Sequence, residues 1–100
     1  MSVLAIDFDG VLCDNNNIKP GFRMGEPMPG AIEAMRRLKA GGDTVVIFTA
    51  RDRFQPVRDW LDHFGIPYDD VTNIKRPEFD VIVDDRAVHF TNWNQVTGYI

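Results

Sequence analysis

Short apolar runs separated by polar segments predict the strands of this chain. Residues 3–6, 44–48 and 80–83 form runs that are too short for helices, so each predicts a strand that is buried in a sheet. A further short strand is expected within residues 68–74. The stretch between that strand and the last run leaves no room for a helix, and it is expected to be an irregular connection.

Two of the intervening segments carry apolar residues at helical spacing. The first helix is expected to begin near Pro29 and to end at Gly41–Gly42. Its apolar face consists of Ile32, Met35 and Leu38. The second helix is stopped by Gly65. Its apolar face consists of Phe54, Val57, Leu61 and Phe64.

Strand, helix, strand, helix and strand in this order predict a parallel sheet with right-handed crossovers. The expected fold is a three-layer α/β/α, Rossmann-like arrangement with helices on both faces, formed by residues 1–100 as a single small domain. The tail over residues 86–100 has a more mixed pattern. It predicts a short strand at His89–Phe90 and a final helical turn near residues 93–96.

The carboxyl ends of the predicted strands carry acidic and hydroxyl residues. The first strand ends in Asp7 and Asp9, the second in Thr49, and the fourth in Asp84 and Asp85. In a parallel sheet these ends meet at one edge, which is where ligands bind. Carboxylates that converge there repel one another unless a cation neutralises them. Oxygen ligands without His or Cys suit a hard ion, so Mg²⁺ is the expected cofactor.

The same residues can support phosphoryl transfer. One carboxylate can attack phosphorus while the metal, the Thr49 hydroxyl and the Lys75 ammonium balance the charge on the equatorial oxygens. A second carboxyl two residues further on, turned back at Gly10, can protonate the leaving oxygen and later deprotonate water. The set is chemically complete for a reaction through an aspartyl-phosphate.

Composition and charge narrow the classes of function. The 100 residues include 11 Lys and Arg against 15 Asp and Glu, which gives a formal net charge of −4. There is no basic run, which argues against non-specific nucleic-acid binding. No apolar run approaches the roughly 20 residues of a membrane span. The amino-terminal residues lack a signal-peptide pattern and Cys13 is the single cysteine, so a cytoplasmic location is expected.

Four segments resemble, in order, the four motifs of the haloacid dehalogenase superfamily of phosphohydrolases. Residues 7–12 (DFDGVL) resemble the first motif, residues 48–51 (FTAR) the second, Lys75 the third and residues 83–85 (VDD) the fourth. Together they span most of the chain. The resemblance implies a phosphatase-type rather than a dehalogenase-type member, because an Asp stands two positions after the first Asp of the motif.

The resemblance also implies a role for each matching residue. Asp7 would be the nucleophile and a metal ligand, and Asp9 would be the general acid and base and would offer its backbone carbonyl to the metal. Asp84 would bind Mg²⁺ directly, and Asp85 would bind it directly or through water. The residues expected to bind the phosphoryl group or the rest of the substrate are Thr49, Ala50, Arg51 and Lys75.

Members of this superfamily usually select substrates with an inserted cap domain, and the intervals between the motifs leave no room for one here. The loop that carries Phe22 and Arg23 either covers the site as a flap or is a plain exposed loop. An open site suits a phosphate carried by a macromolecule, such as a nucleic-acid end or a protein. A small phosphate ester would fit if a neighbouring subunit in an oligomer closed the site.

Other interpretations of the function and of single residues stay open. The chain could be a receiver-like domain that accepts a phosphoryl group without turnover, or an inactive module that binds metal or phosphate. Arg51 is expected either to contact the substrate or to pair with Asp52 or Asp85. Either Lys75 or the adjacent Arg76 is expected to face the site.

Overall fold

A computed structural model of the chain describes residues 1–16, 18, 20 and 23–98. Strands and helices alternate in the predicted order. The elements are β1 (Val3–Asp7), α1 (Ala31–Ala40), β2 (Thr44–Phe48), α2 (Gln55–His63), β3 (Asp70–Thr72), β4 (Val81–Val83) and α3 (Trp93–Gly98). None of the helices within the described residues combines the length and the apolar character that crossing a bilayer requires.

The four strands form one parallel sheet in the order β3-β2-β1-β4. This sheet, flanked by helices, confirms the predicted fold class of a small Rossmann-like α/β domain. In this register the last residues of β1, β2 and β3 lie side by side: Asp7 is opposite Phe48, and Phe48 is opposite Thr72. On the other side of β1, Ile6 lies opposite Val83, so the residue after β4 comes level with Asp7.

The largest hydrophobic cluster joins one face of the sheet to α1 and α2. Paired residues of neighbouring strands share a face, so the sheet residues of this cluster lie side by side. They are Ile6, Val45, Ile47 and Val71. The helices contribute Met35, Val57, Trp60 and Leu61. On the opposite face, Phe79 from the β3–β4 connection contacts Phe48, with ring centroids 6.0 Å apart.

The structure corrects two expectations at the β4 side. β4 is not buried: Val81 is 50% and Val83 is 40% exposed, because β4 is an edge strand on which α1 and α2 leave these side chains uncovered. The predicted strand at His89–Phe90 is wrong as well. Both residues are exposed and unpaired with any described strand, and Phe90 instead contacts Trp93 at a centroid distance of 5.4 Å. The predicted helical turn near residues 93–96 is confirmed as part of α3.

Candidate functional site

A cavity of about 550 Å³ opens at the carboxyl edge of the sheet. Most of the predicted site residues line it, because the strand register brings their backbone positions to this edge. The predicted residues in the lining are Asp7, Asp9, Thr49, Ala50, Asp84 and Asp85. Five further lining side chains, which the sequence did not single out for this site, are Asn15, Asn16, Phe48, Asn73 and Arg86.

Three carboxylates converge in the cavity. Asp7, Asp84 and Asp85 each offer one oxygen, and these oxygens all lie within 4.8 Å of one another. Backbone amides orient two of the groups: Phe8 N–H donates to Asp7 Oδ1 at 2.9 Å, and Arg86 N–H donates to Asp84 Oδ1 at 2.7 Å. Three acidic oxygens at this separation form a donor set that fits a hard divalent cation.

The crowding of these carboxylates changes the acidity of Asp7. Its pKa is raised from 3.8 to about 6. Burial is the largest cause, the negative charge of Asp84 is the next, and the hydrogen bond from the Phe8 amide partly opposes both. A carboxylate surrounded by like charge holds its proton more tightly, and a bound cation would reverse that effect.

A glycine lets the segment after β1 turn back toward β4. Gly10 has a φ of +84°, and its amide donates to the Cys13 carbonyl at 2.9 Å. A Cβ at this position would collide with the Asp85 carboxylate. The positive φ therefore favours glycine, and a side chain here would displace the Asp85 carboxylate from its position beside the first strand.

Asp9 is held by a guanidinium from the loop after β2. Arg51 Nε donates to Asp9 Oδ2 at 2.9 Å and Arg51 Nη2 donates to Asp9 Oδ1 at 2.8 Å. This pairing keeps the pKa of Asp9 below its usual value of 3.8, and the Asn15 amide, which donates at 3.1 Å, acts in the same direction. The expectation that Arg51 pairs with Asp52 or Asp85 is wrong, because the Nε and Nη2 groups of Arg51 both donate to Asp9.

Thr49 follows β2 directly and is buried. Its amide donates to the Thr72 carbonyl at 2.9 Å, which extends the sheet pairing by one residue. Its hydroxyl oxygen accepts the Arg51 amide at 3.2 Å. Because that oxygen is used as an acceptor, the hydroxyl proton can be donated to a ligand in the cavity.

The two adjacent cations after β3 have different surroundings. Arg76 Nη2 donates to Asp70 Oδ2 at 2.8 Å. Asp70 is the first residue of β3, which is the edge strand on the opposite side of the sheet from β4. Lys75 is exposed and does not belong to the cavity lining among the described residues. The turn after β3, in which the Ile74 amide donates to Thr72 Oγ1 at 3.1 Å, presents Asn73 to the cavity instead. A role for Lys75 in phosphate binding stays a prediction.

Asn15 and Asn73 were the polar residues that sequence reasoning passed over. Asn15 belongs to a polar loop whose sequence is typical of a turn. Asn73 follows a strand whose end was predicted only to lie within residues 68–74. A strand-end position is the signal that could have found Asn73. Of the proposed flap, Phe22 lies outside the described residues, and Arg23 is exposed and apart from the cavity lining.

Comparison with known proteins supports the fold. No family model matches the chain, and no curated protein matches it. The chain is similar to a solved structure described as the conserved protein coded by a locus from Bacteroides thetaiotaomicron. The TM-score is 0.64 at 19% identity, and the alignment covers 94% of this chain and 84% of that chain. At this identity the likeness shows the fold alone.

Proposed function

We propose that this protein is a Mg²⁺-dependent phosphomonoesterase that acts through an aspartyl-phosphate on Asp7. The observation that carries the proposal is the group of three carboxylates within 4.8 Å of one another, in a cavity that Thr49 and Asp9 also line. Such a set would supply a nucleophile, a hydroxyl donor and a second carboxyl for the proposed reaction. The resemblance of four ordered segments to the haloacid dehalogenase motifs supports the same reaction.

The donor set fits the proposed metal. Asp7, Asp84 and Asp85 offer only oxygen ligands, and the pKa of Asp7 is raised first by burial and next by the negative charge of Asp84. These three residues would hold Mg²⁺, with the backbone carbonyl of Asp9 as an expected further ligand. When bound, Mg²⁺ supplies positive charge to the substrate phosphate and to the crowded carboxylates.

In the first step, an Asp7 oxygen attacks phosphorus and the bond from phosphorus to the leaving oxygen breaks. Oδ1 of Asp7 already accepts the Phe8 amide, which leaves Oδ2 as the attacking atom. The Thr49 hydroxyl donates to a phosphoryl oxygen, and Lys75 adds positive charge if its side chain reaches the cavity. The leaving oxygen takes a proton from Asp9, which binds that proton from solvent before the step, because Asp9 is ionised while it pairs with Arg51.

In the second step, the Asp9 carboxylate takes a proton from water. The water oxygen attacks phosphorus, and the bond between phosphorus and Asp7 breaks. Asp7 is regenerated as a carboxylate, and the product is inorganic phosphate. The acid and base roles of Asp9 thus return it to its starting state.

The substrate proposed for this site is a phosphate on a macromolecule. Among the described residues between β1 and α1, only turns and isolated bridges occur, and polar side chains such as Asn16 and Arg86 border the cavity. An uncovered cavity of this kind supports access for a nucleic-acid end or a phosphorylated protein. A small phosphate ester becomes the better substrate if an oligomer covers the opening. The expected cytoplasmic location belongs to the same proposal.

Hydrolysis of an aryl phosphate tests the proposed activity. Wild-type protein should release phosphate from p-nitrophenyl phosphate with Mg²⁺ and not with EDTA, and Asp7→Asn should abolish release. Asp62→Asn is the matched control, because Asp62 is an exposed aspartate on α2 outside the cavity lining. Absence of turnover on aryl phosphates, nucleotides, sugar phosphates and phosphorylated ends would refute the proposal.

A receiver-like domain is the second candidate, and one observation favours it. Both oxygens of Asp9 are engaged by Arg51, so in this arrangement no second carboxyl is free to activate water. A domain of that kind would accept a phosphoryl group on Asp7 and retain it. Incubation with acetyl phosphate separates the two candidates: a phosphatase turns over repeatedly, whereas a receiver accumulates one acyl-phosphate per chain.

A further inference from the structure

Arg51 forms a two-point pair with Asp9, which lines the cavity, although Arg51 itself is not among the described lining residues. The guanidinium uses Nε and Nη2 toward the two carboxylate oxygens, at 2.9 and 2.8 Å, and Asn15 adds a third bond to Oδ1 at 3.1 Å. In this state both oxygens of the Asp9 carboxylate accept hydrogen bonds from its own chain, one at Oδ2 and two at Oδ1.

The pair is accessible to a competing anion. The Arg51 side chain is 35% exposed and the Asp9 side chain is 33% exposed. A partly solvated ion pair is only weakly favourable, so the net cost of opening it is small. A phosphate dianion offers a guanidinium the same two-point geometry with a larger charge.

The surroundings of Arg51 allow its head group to change partner while its backbone stays fixed. Its amide is bonded to Thr49 Oγ1 at 3.2 Å, so the residue starts beside the proposed phosphate-binding hydroxyl. The guanidinium carbon lies 5.5 Å from the centre of the buried Phe8 ring. An aromatic face attracts a cation without fixing it in one in-plane orientation.

We propose that Arg51 exchanges partners when substrate binds: its guanidinium leaves Asp9 for the substrate phosphate, and the released Asp9 side chain takes up a proton from solvent and donates it to the leaving oxygen. Arg51 is then a positioning residue that closes the site in the absence of an anion. The inference rests on the proposed phosphatase function. It makes the empty site a self-inhibited state that the substrate itself opens.

A double-mutant cycle with inorganic phosphate tests the exchange by binding alone. Phosphate affinity is measured by calorimetry with Mg²⁺ for the wild type, Asp9→Asn, Arg51→Gln and the double variant. Asp9→Asn frees Arg51 and should tighten phosphate binding about tenfold, whereas the same change in the Arg51→Gln background should have little effect. An equal gain in both backgrounds would mean that Asp9 acts only through its charge, and the exchange would be refuted.

A spectroscopic titration follows the guanidinium directly. Addition of inorganic phosphate should shift the Arg51 Nε–H resonance. The shift should saturate at the same phosphate concentration as the shift of the Thr49 amide resonance. Arg76 is the matched control, because it is also paired with a carboxylate but its partner Asp70, unlike Asp9, lies outside the cavity lining, so its Nε–H signal should stay in place. If the Thr49 amide shifts while Arg51 does not, the exchange fails and the phosphatase proposal stands. If phosphate moves neither signal, the exchange fails, and the phosphatase proposal is decided by the turnover assay.

Steady-state kinetics give a third readout that a purely structural role would not produce. Arg51→Gln should raise KM about tenfold or more with a smaller change in kcat, because the phosphate contact is lost while Asp9 is already free. Arg51→Lys should restore part of the lost affinity, since it keeps the charge without the fork. A fall in kcat with unchanged KM would contradict the exchange.

Discussion

The Asp85 carboxylate lies against the backbone of Gly10, in the space into which a Cβ at position 10 would project. The pairing of β1 with β4 brings these two segments together, and the Asp85 carboxylate beside Gly10 belongs to the acidic cluster. Gly10 also has a φ of +84°, where other residues are strained. The geometry of the proposed metal site therefore depends on a residue that has no side chain.

Gly10→Ala should damage the site more than the fold. Backbone strain should lower the free energy of unfolding by about 1–2 kcal/mol, and displacement of Asp85 should weaken Mg²⁺ binding by roughly tenfold or more. Gly30→Ala is the matched control, because Gly30 has the same φ of +84° and nothing within 4 Å of the position of its Cβ. Urea unfolding and Mg²⁺ titration of both variants check the prediction. Equal Mg²⁺ affinity in the two variants would contradict it.

Magnesium binding should weaken in acid. The pKa of Asp7 is about 6 in the cation-free protein, so below pH 6 a proton competes for the carboxylate. The apparent affinity should be nearly constant above pH 7 and should fall about tenfold between pH 7 and pH 5. Calorimetric Mg²⁺ titrations across this range measure the slope. A flat profile down to pH 5 would show that Asp7 does not bind the cation.

The raised pKa of Asp7 also affects the stability of the cation-free protein. The folded-state pKa of Asp7 is raised above its unfolded value of 3.8, so the folded state binds the proton more tightly. The contribution of Asp7 to stability is therefore most favourable below pH 3.8 and is lost as the pH rises through about 6. Asp7→Asn should stabilise the cation-free protein at pH 7 and have less effect near pH 4. Urea unfolding with EDTA at both pH values checks the sign, and destabilisation by Asp7→Asn at pH 7 would contradict it.

Magnesium should stabilise the fold through Asp84. A ligand that binds only the folded state, at 100 times its Kd, adds about 2.7 kcal/mol to the free energy of unfolding. The midpoint temperature of thermal unfolding of the wild type should therefore rise when Mg²⁺ is added. Asp84→Asn should remove most of that rise. Asp62→Asn should keep the full shift. Equal responses of the Asp84 and Asp62 variants would exclude Asp84 as a ligand.

Substitutions of the adjacent residues Lys75 and Arg76 should have different effects, one on activity and the other on stability. Arg76→Ala breaks the pair with Asp70 and should cost up to about 1 kcal/mol of stability with little change in turnover. Lys75→Ala should leave stability unchanged and lower kcat/KM by roughly a hundredfold, if Lys75 supplies charge to the phosphoryl group. Unfolding curves and aryl phosphate kinetics measure both effects. Normal turnover by Lys75→Ala would remove Lys75 from the site.

The strands and the acidic cluster could be predicted from sequence because both depend on local pattern and on a general rule. A short apolar run that ends in Asp predicts a buried strand with a carboxylate at its end, and a parallel sheet brings such ends together. This reasoning placed Asp7 beside Asp84 across 77 residues of sequence. The exposure of Val81 could not be read in the same way, because an edge strand has the same apolar pattern as a central one.

The partner of Arg51 could not be predicted for a different reason. Asp52 and Asp85 were the acceptors expected from the sequence, and Asp9 was missed, because the pairing depends on the turn at Gly10 and on the position of Phe8 below the guanidinium. Such a choice is made by tertiary packing. The strand expected at His89–Phe90 failed because two residues gain few hydrogen bonds without a neighbouring strand.

Covalent labelling of Asp7 tests the central claim most directly. Protein mixed with a phosphoryl donor and Mg²⁺ is quenched in acid within one turnover, and the peptide of residues 1–23 is analysed by mass spectrometry. The account predicts a hydroxylamine-sensitive phosphoryl group on Asp7 that appears before phosphate release and decays with it, and that Asp7→Asn lacks. Release of phosphate at full rate with no label on this peptide would contradict the account.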